Sequence, residues 1–376
     1  MAGIYVHIPF CKKQCSYCDF HFSTTFELYR DRMVKAICDE VEIRSELNSN
    51  EIVETIYLGG GTPSILKASE LALILDSIKN NFILSGFPEI TLECNPDDCS
   101  EENLRSWKAL GFNRISIGIQ SLDEHQLDWM NRAHNATEST AAVELARQCG
   151  FDNITVDLIY GLPNLTPETW KETIRKVADL PIGHISAYCL TVEEKTPLAA
   201  WVKSGKIRPS TNDAQSEQFL ILVETLKALG FEQYEISNFA RKEAYSKHNT
   251  AYWLDKNYLG IGPSAHGYDG ENRYWNVANN QRYMKEIESG NLPQEVEKLS
   301  NYDRFNERIM VGLRTKWGVS LSELKSYLDL DPAWLGEVDQ LVQDGDLKVA
   351  GDNLVLTESG KLRADAIASD LFKLSN

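Results

Sequence analysis

The amino-acid sequence predicts an α/β protein built from six strand–helix units, with a small and mainly helical domain after them. Three observations carry this. Short apolar runs alternate with amphipathic stretches over the first two-thirds of the chain, the pattern of a parallel sheet. Glycines and polar residues gather where the runs end, the place where parallel barrels carry functional groups. From about Asn301 the apolar spacing turns helical, interrupted by one short hairpin.

Ile4–Ile8 is the first expected strand, because Pro9 disfavours helix at Ile8. A long helix follows over Phe26–Leu47, where Leu28, Met33, Val34, Ile37 and Val41 recur at helical spacing. Val53–Leu58 is the second strand and Ser69–Phe82 its helix, with Leu71, Ile74, Leu75, Ile78 and Phe82 on one face. Glu89–Cys94 is the third strand, followed by Asn95-Pro96 and a helix over Glu101–Leu110. Arg114–Ile119, Ile154–Ile159 and His184–Leu190 complete the six. Helices over Leu122–Met130, Glu138–Gln148 and Pro167–Ala178 lie among them. Asn212–Leu229 reads as a helix ended by Gly230, and Phe231–Ile236 as a further strand. In the last domain Arg304–Arg314, Ser320–Leu328, Ala333–Asp344 and Lys361–Phe372 read as helices, with Ser320 and Glu323 set as a capping box. Leu347–Ala350 and Leu354–Leu356, joined across Gly351-Asp352-Asn353, read as the hairpin. The expected domains are 1–235 for the core, 236–300 for an aromatic, histidine-containing extension, and 301–376 for a winged-helix-like domain.

Composition narrows the class. With 43% hydrophobic and 25% charged residues the chain is ordinary for a soluble globular protein. A net charge of −17 argues against a general nucleic-acid binder, which needs a basic face. No apolar run nears the roughly 20 residues that span a bilayer, and the N-terminus lacks the zones of a signal peptide. The expected location is the cytoplasm, a peripheral position at the inner face of the membrane included. There, eight cysteines are thiols or ligands rather than a disulfide framework. Cys38, Cys94, Cys99, Cys149 and Cys189 are scattered and read as small buried hydrophobes.

The densest chemistry is Cys11, Cys15 and Cys18, on the loop leaving the first strand. Three thiolates can hold three irons of a four-iron cube and leave the fourth open to a small molecule. Zinc is the rival, with His7, His21 or Cys38 as fourth ligand; structural cysteines are the third reading. At the other strand ends stand Gly59-Gly60-Gly61-Thr62-Pro63, Glu93, Gln120, Asp157 and Gly161-Leu162-Pro163. Each alone reads as a turn, a cap or a surface polar group. Together they outline a ligand-lined mouth.

Cys-x3-Cys-x2-Cys with Tyr17 before the last cysteine resembles the signature of the radical S-adenosylmethionine (SAM) proteins. The flank Tyr5-Val-His-Ile-Pro-Phe-Cys11 is similar to the oxygen-independent coproporphyrinogen III oxidase group and its relatives, the HemW-type haem chaperones. The resemblance implies an incomplete (β/α)6 TIM-like barrel. It also implies a 4Fe-4S cluster on Cys11, Cys15 and Cys18, with SAM on the open iron. It puts Tyr5 near the cluster and SAM, Gly60, Gly61 and Thr62 at the methionyl amine, and Glu93 on the ribose hydroxyls. Gln120 and Asp157 match further SAM positions, and Arg132 matches an arginine that pairs with a carboxylate, a role its planar fork suits.

The extension holds Lys247-His248-Asn-Thr-Ala-Tyr252-Trp253, then Ser264-Ala-His266-Gly-Tyr268 and Arg273-Tyr-Trp275. Histidines among tyrosines and tryptophans suit a flat apolar ligand, and both His and Tyr can ligate haem iron. The same aromatics would equally close the core of an open barrel, with His248 hydrogen-bonded internally. His-Asn-x-x-Tyr-Trp, however, resembles a motif of the HemW-type chaperones, which implies haem as cargo on His248 or Tyr252. Phe20 occupies a position where the oxidase pattern has a cysteine, and the oxidases carry an N-terminal extension that is absent before Cys11. The expected function is therefore haem binding and transfer to acceptor apoproteins, respiratory ones among them, with an electron donor, no nucleic acid, and a homodimer allowed. The alternative is the oxidase, in which a radical from SAM abstracts hydrogen from a propionate.

Overall fold

A computed structural model describes residues 3–47 and 51–374. Six strand–helix units open the chain: β1 (Gly3–Ile8), α1 (Arg30–Leu47), β2 (Ile52–Gly60), α2 (Ala68–Asn81), β3 (Ile83–Cys94), α3 (Glu101–Leu110), β4 (Arg114–Gln120), α4 (Glu124–Trp129), α5 (Ala136–Gln148), β5 (Asn153–Tyr160), α6 (Pro167–Ala178) and β6 (His184–Cys189). These six strands are parallel and adjacent in chain order. The outward residues of β1 and β2, among them Ile4, Val6, Ile8, Ile56 and Leu58, are buried under the helices. Parallel strands covered by helices carry such runs.

The sheet does not close on itself. After α7 (Pro197–Lys203) and α8 (Asn212–Ala228), β7 (Glu232–Glu235) and β8 (Asn238–Ala240) extend it antiparallel beyond β6. Then come α9 (Lys247–Trp253), β9 (Tyr258–Ile261), β10 (His266–Tyr268), β11 (Asn272–Asn276), α10 (Asn280–Glu288) and β12 (Gln294–Lys298). β9 joins the other edge, parallel to β1, and β10, β11 and β12 continue from it, giving one mixed sheet of twelve strands. An open (β/α)6 barrel is thus flanked on both sides, and the extension is built of short strands with α9 and α10 between them.

The last part comprises α11 (Asn301–Leu313), β13 (Val319–Ser320), α12 (Leu321–Tyr327), α13 (Pro332–Gln343), β14 (Leu347–Ala350), β15 (Asn353–Leu356) and α14 (Ala364–Asp370). A three-stranded sheet and a core of Phe305, Ile309, Leu313, Leu324, Trp334 and Leu354 hold it together.

Several local expectations are corrected. Helix α1 begins at Arg30, not Phe26, because Phe26 turns inward and stacks on Phe10 with ring centroids 4.6 Å apart. Leu28, expected on that helix's apolar face, is fully exposed. Ser320 does accept from the Glu323 amide, but the Glu323 carboxylate pairs with Arg308 at 2.8 Å instead of closing the capping box.

Candidate functional site

The cysteine loop is held from three directions. Cys11 N–H donates to Ser23 O at 3.1 Å, Ser16 N–H to Met130 O at 3.2 Å, and Asn131 Nδ2 to Gln14 O at 2.8 Å. Lys12 pairs with Asp97 at 2.9 Å and with Asp98. Thr62 Oγ1 reaches Cys11 Sγ at 3.5 Å, and Arg132 Nη1 reaches Cys15 Sγ at 3.3 Å. Burial pushes the Cys11 thiol up to about 11 and Cys18 up to about 12, so both hold their protons until a metal displaces them.

Three cysteines are one ligand short of a closed tetrahedral zinc site and are the number that a four-iron cluster with one open iron needs. Among the described residues no three His, Cys, Asp or Glu side chains converge on one point, Cys11, Cys15 and Cys18 included. The fourth zinc ligands that the sequence offered have other roles. His7 Nε2 donates to His21 O at 2.8 Å, which leaves Nδ1 to accept from Tyr5 at 3.2 Å. His21 Nε2 donates to Asn280 Oδ1 at 2.7 Å, and Cys38 lies on α1, whose backbone there meets Ser77 of α2.

Beside the loop, the ends of β1 to β5 bring most of the expected residues together. Gly60 has φ +102°, and a Cβ on it would strike the His7 ring at 2.5 Å. Gly61 donates to Ile8 O at 2.9 Å and Thr62 to Phe10 O at 2.7 Å, tying the glycine turn to the strand that feeds the cysteines. The Glu93 carboxylate accepts from Tyr57 at 2.6 Å and from the Gly60 amide at 3.2 Å. Burial still pushes its pKa up to about 7. Asp157 accepts from Ser116 at 3.1 Å, and burial raises it to about 6. Arg132 Nη2 donates to Asn95 Oδ1 and Gly118 O, both at 2.7 Å, while its buried Nε has no partner among the described residues. Gln120 ends β4 with φ +63°, just past a break in the β4–β5 register. Backbone amides, a carboxylate and an unspent guanidinium N–H suit an amino-acid nucleoside such as SAM.

A cavity of about 610 Å³ opens from this mouth towards the extension. Tyr5, Gly60 and Glu93 line its inner end, Phe20 and His21 its rim, and Tyr252, Trp253, Tyr258, His266 and Tyr268 its far wall. Phe20 is 67% exposed there.

His248 and Tyr252 do share a helical turn, α9, and one face of it. The structure uses that spacing internally. His248 is 1% exposed. Its Nδ1 meets Thr55 Oγ1 at 2.8 Å, its Nε2 meets Tyr252 OH at 2.7 Å, and its ring stacks on Tyr57 with centroids 4.9 Å apart. Burial lowers its pKa to about 3. Neither ring nitrogen is available to iron, against the sequence expectation; Tyr252 does reach the cavity. The sequence places His266 among the aromatics that suit a flat ligand, but the motif points to His248 and Tyr252 as the ligands. The missing signal was strand pairing, which sets His266 beside Trp275 on a cavity wall.

The architecture and mouth define a radical SAM protein. The Radical SAM superfamily model matches residues 5–177, and the HemN C-terminal domain model matches residues 299–363. Over 373 residues the chain is 33% identical to a Mycobacterium tuberculosis protein named heme chaperone HemW, covering 98% of this chain and 94% of that one. A Bacillus subtilis protein of the same name is 32% identical over 373 residues, 98% of each. The chain belongs to the HemW family of radical SAM proteins. The solved Escherichia coli coproporphyrinogen III oxidase HemN shares the fold, with a TM-score of 0.85 over 99% of this chain and 90% of that one at 24% identity.

Proposed function

We propose that this chain binds haem and hands it to acceptor haemoproteins, respiratory ones among them. One observation carries the reading: an aromatic-walled cavity, large enough for a flat tetrapyrrole, opens directly beside the cysteine loop. The names of its relatives in Mycobacterium tuberculosis and Bacillus subtilis support it. On this reading Cys11, Cys15 and Cys18 hold the 4Fe-4S cluster, which, when bound, supplies single electrons delivered by a donor protein. Tyr5, Gly60, Gly61, Thr62, Glu93, Gln120, Arg132 and Asp157 shape the SAM site. Glu93 and Asp157 offer acceptors to hydroxyls, and Arg132 offers its unpartnered Nε–H to a carboxylate while steadying Cys15. Tyr252, Trp253, Tyr258 and Tyr268 give the haem plane its apolar contact and exclude water from it. Phe20 supplies no thiol where the oxidase pattern has one, which weighs against porphyrinogen oxidation. Among the described residues no helix is long and apolar enough to cross a membrane; a cytoplasmic protein that meets membrane-bound acceptors fits the reading, as does a homodimer without nucleic acid.

The test uses one anaerobically reconstituted sample for two assays. Stoichiometric haem binding and transfer to an apo-haemoprotein are expected, with no turnover of coproporphyrinogen III in the presence of SAM and reductant. Stoichiometric protoporphyrinogen formation, or haem binding no tighter than that of an unrelated acidic protein, would overturn the reading.

A further inference from the structure

We propose that His266 is the side chain that ligates the haem iron in the cavity, and that His248 is a structural residue holding the wall behind it. This rests on the haem-binding reading above. A histidine that serves as axial ligand must present a nitrogen lone pair to open space. His266 meets that condition. It is exposed, it lines the cavity, and neither of its ring nitrogens has a hydrogen-bond partner among the described residues.

Strand geometry aims it there. In β10 residues alternate between faces. His266 and Tyr268 take the cavity face, and Gly267 takes the other, where a Cβ would fall 2.0 Å from the Tyr274 ring. Gly267 therefore lets Tyr274 pass beneath the strand, so that Tyr274 OH accepts from the Gly260 amide at 2.9 Å and pins β9 to β11. Across the ladder His266 pairs with Trp275 and stacks on its ring, centroids 6.1 Å apart at 29°, which restricts the imidazole plane. Tyr268 pairs with Arg273 and with Tyr258, so ligand and aromatic contact stand on one rigid sheet.

The electrical setting agrees. Burial and the nearby Arg273 lower the His266 pKa, so the ring is neutral with a free lone pair at neutral pH. The groups around the cavity are Asp19, Glu93, Asp255 and Glu307 on the acidic side and Lys256 and Arg273 on the basic side. Lys256, paired with Glu54 at 3.4 Å, and Arg273 are the cations on the lining, and the haem propionates point towards them. Arg273 already forks onto Glu307 at 2.6 and 2.9 Å, which fixes it in place over the Tyr268 ring. His248 differs on every count: buried, with both nitrogens engaged, stacked on Tyr57 and met edge-on by Tyr252.

The experiment titrates the full-length, cluster-loaded protein with ferric haem and reads the Soret band and the electron paramagnetic resonance spectrum. His266→Ala should lose the wild-type Soret position and spin state, and added imidazole should restore them. His248→Gln, which keeps a hydrogen-bonding side chain in the core, should keep the wild-type spectrum in whatever fraction remains folded. A wild-type spectrum in His266→Ala, with its loss in folded His248→Gln or in His21→Ala, overturns the assignment while leaving haem binding intact. A wild-type protein that forms no stoichiometric haem complex overturns both the assignment and the functional reading beneath it.

Discussion

The mouth of the barrel and the wall of the extension face each other across one cavity, yet they are built in opposite ways. At the mouth, groups come from the ends of consecutive parallel strands and are left chemically unfinished: three thiols, an arginine Nε without a partner among the described residues, carboxyls held near neutrality by burial. Behind the wall one junction of the extension is finished, although Thr250 Oγ1 and Trp253 Nε1 nearby stay without a partner among the described residues. Glu40 of α1 is fully buried and accepts four hydrogen bonds, from Arg44 at 2.6 Å, Asn276 at 2.7 Å, Gly262 at 2.8 Å and Tyr283 at 2.5 Å. Three of those four donors belong to the extension. The mouth keeps valences for a ligand, whereas the junction that holds the wall in place spends those of Glu40.

The largest effect that would break this contrast lies at the loop. Replacing Cys11, Cys15 and Cys18 together with alanine should abolish iron–sulfur absorbance and bound sulfide, while circular dichroism stays that of a folded α/β protein. A triple variant with full iron and sulfide would show that the loop is structural. One equivalent of zinc in the native protein would restore the rival metal.

Next in size is the junction behind the wall. Glu40→Ala takes the counter-charge from Arg44, which is 3% exposed and keeps its bond to Asn276 at 3.0 Å, and removes the carboxylate that gathers Gly262, Asn276 and Tyr283. Losing one partner of a buried ion pair costs about 3–5 kcal/mol, measurable by urea unfolding. Haem binding should weaken with it, whereas iron loading at the loop should not. A loss below about 1 kcal/mol, the scale of an exposed pair, would mean that the wall is anchored elsewhere.

The same difference explains what the sequence disclosed. The six units, the cysteine loop and the glycine turn depend on local spacing, which a single chain displays. Glu93 and Asp157 were legible because barrel topology sends strand ends to one face. The extension was not, because its logic is long-range. His248 is fixed by Thr55, 193 positions away, and Asn276 by Glu40, 236 positions away. β9 lies parallel to β1, a pairing with no local sequence mark. Helix α7 was missed because Pro197–Lys203 is too short to display a period. Even the right motif could mislead: the i, i+4 spacing of His248 and Tyr252 was visible, but not that the two would bond to each other.

The smallest effect separates the two regions by pH. At the mouth, Glu93 is raised from 4.5 to about 7 and Asp157 from 3.8 to about 6 by burial. Between those values the folded chain holds a proton that the unfolded chain has released. Their stabilising contribution is therefore complete in acid and is lost as pH rises through 6 to 7. The buried histidines act in the reverse sense. Burial lowers His248 from 6.5 to about 3, and His7 and His134 to about 4. Below 6.5 the unfolded chain takes up protons that the folded chain refuses, so this contribution is complete above 6.5 and lost as pH falls. The stability of the SAM-free protein should peak between the two limbs. Glu93→Gln should stabilise it at pH 8 and leave it nearly unchanged at pH 4. One edge of that carboxyl faces the cavity, so the gain should be about 1–2 kcal/mol, less than a fully buried shift would give. His248→Gln should flatten the acid limb and leave the alkaline limb alone. Urea midpoints at pH 4, 6.5 and 8 measure both. If Glu93→Gln changed stability equally at pH 4 and pH 8, the mouth carboxyl would not be held protonated, and the mouth would be as finished as the wall.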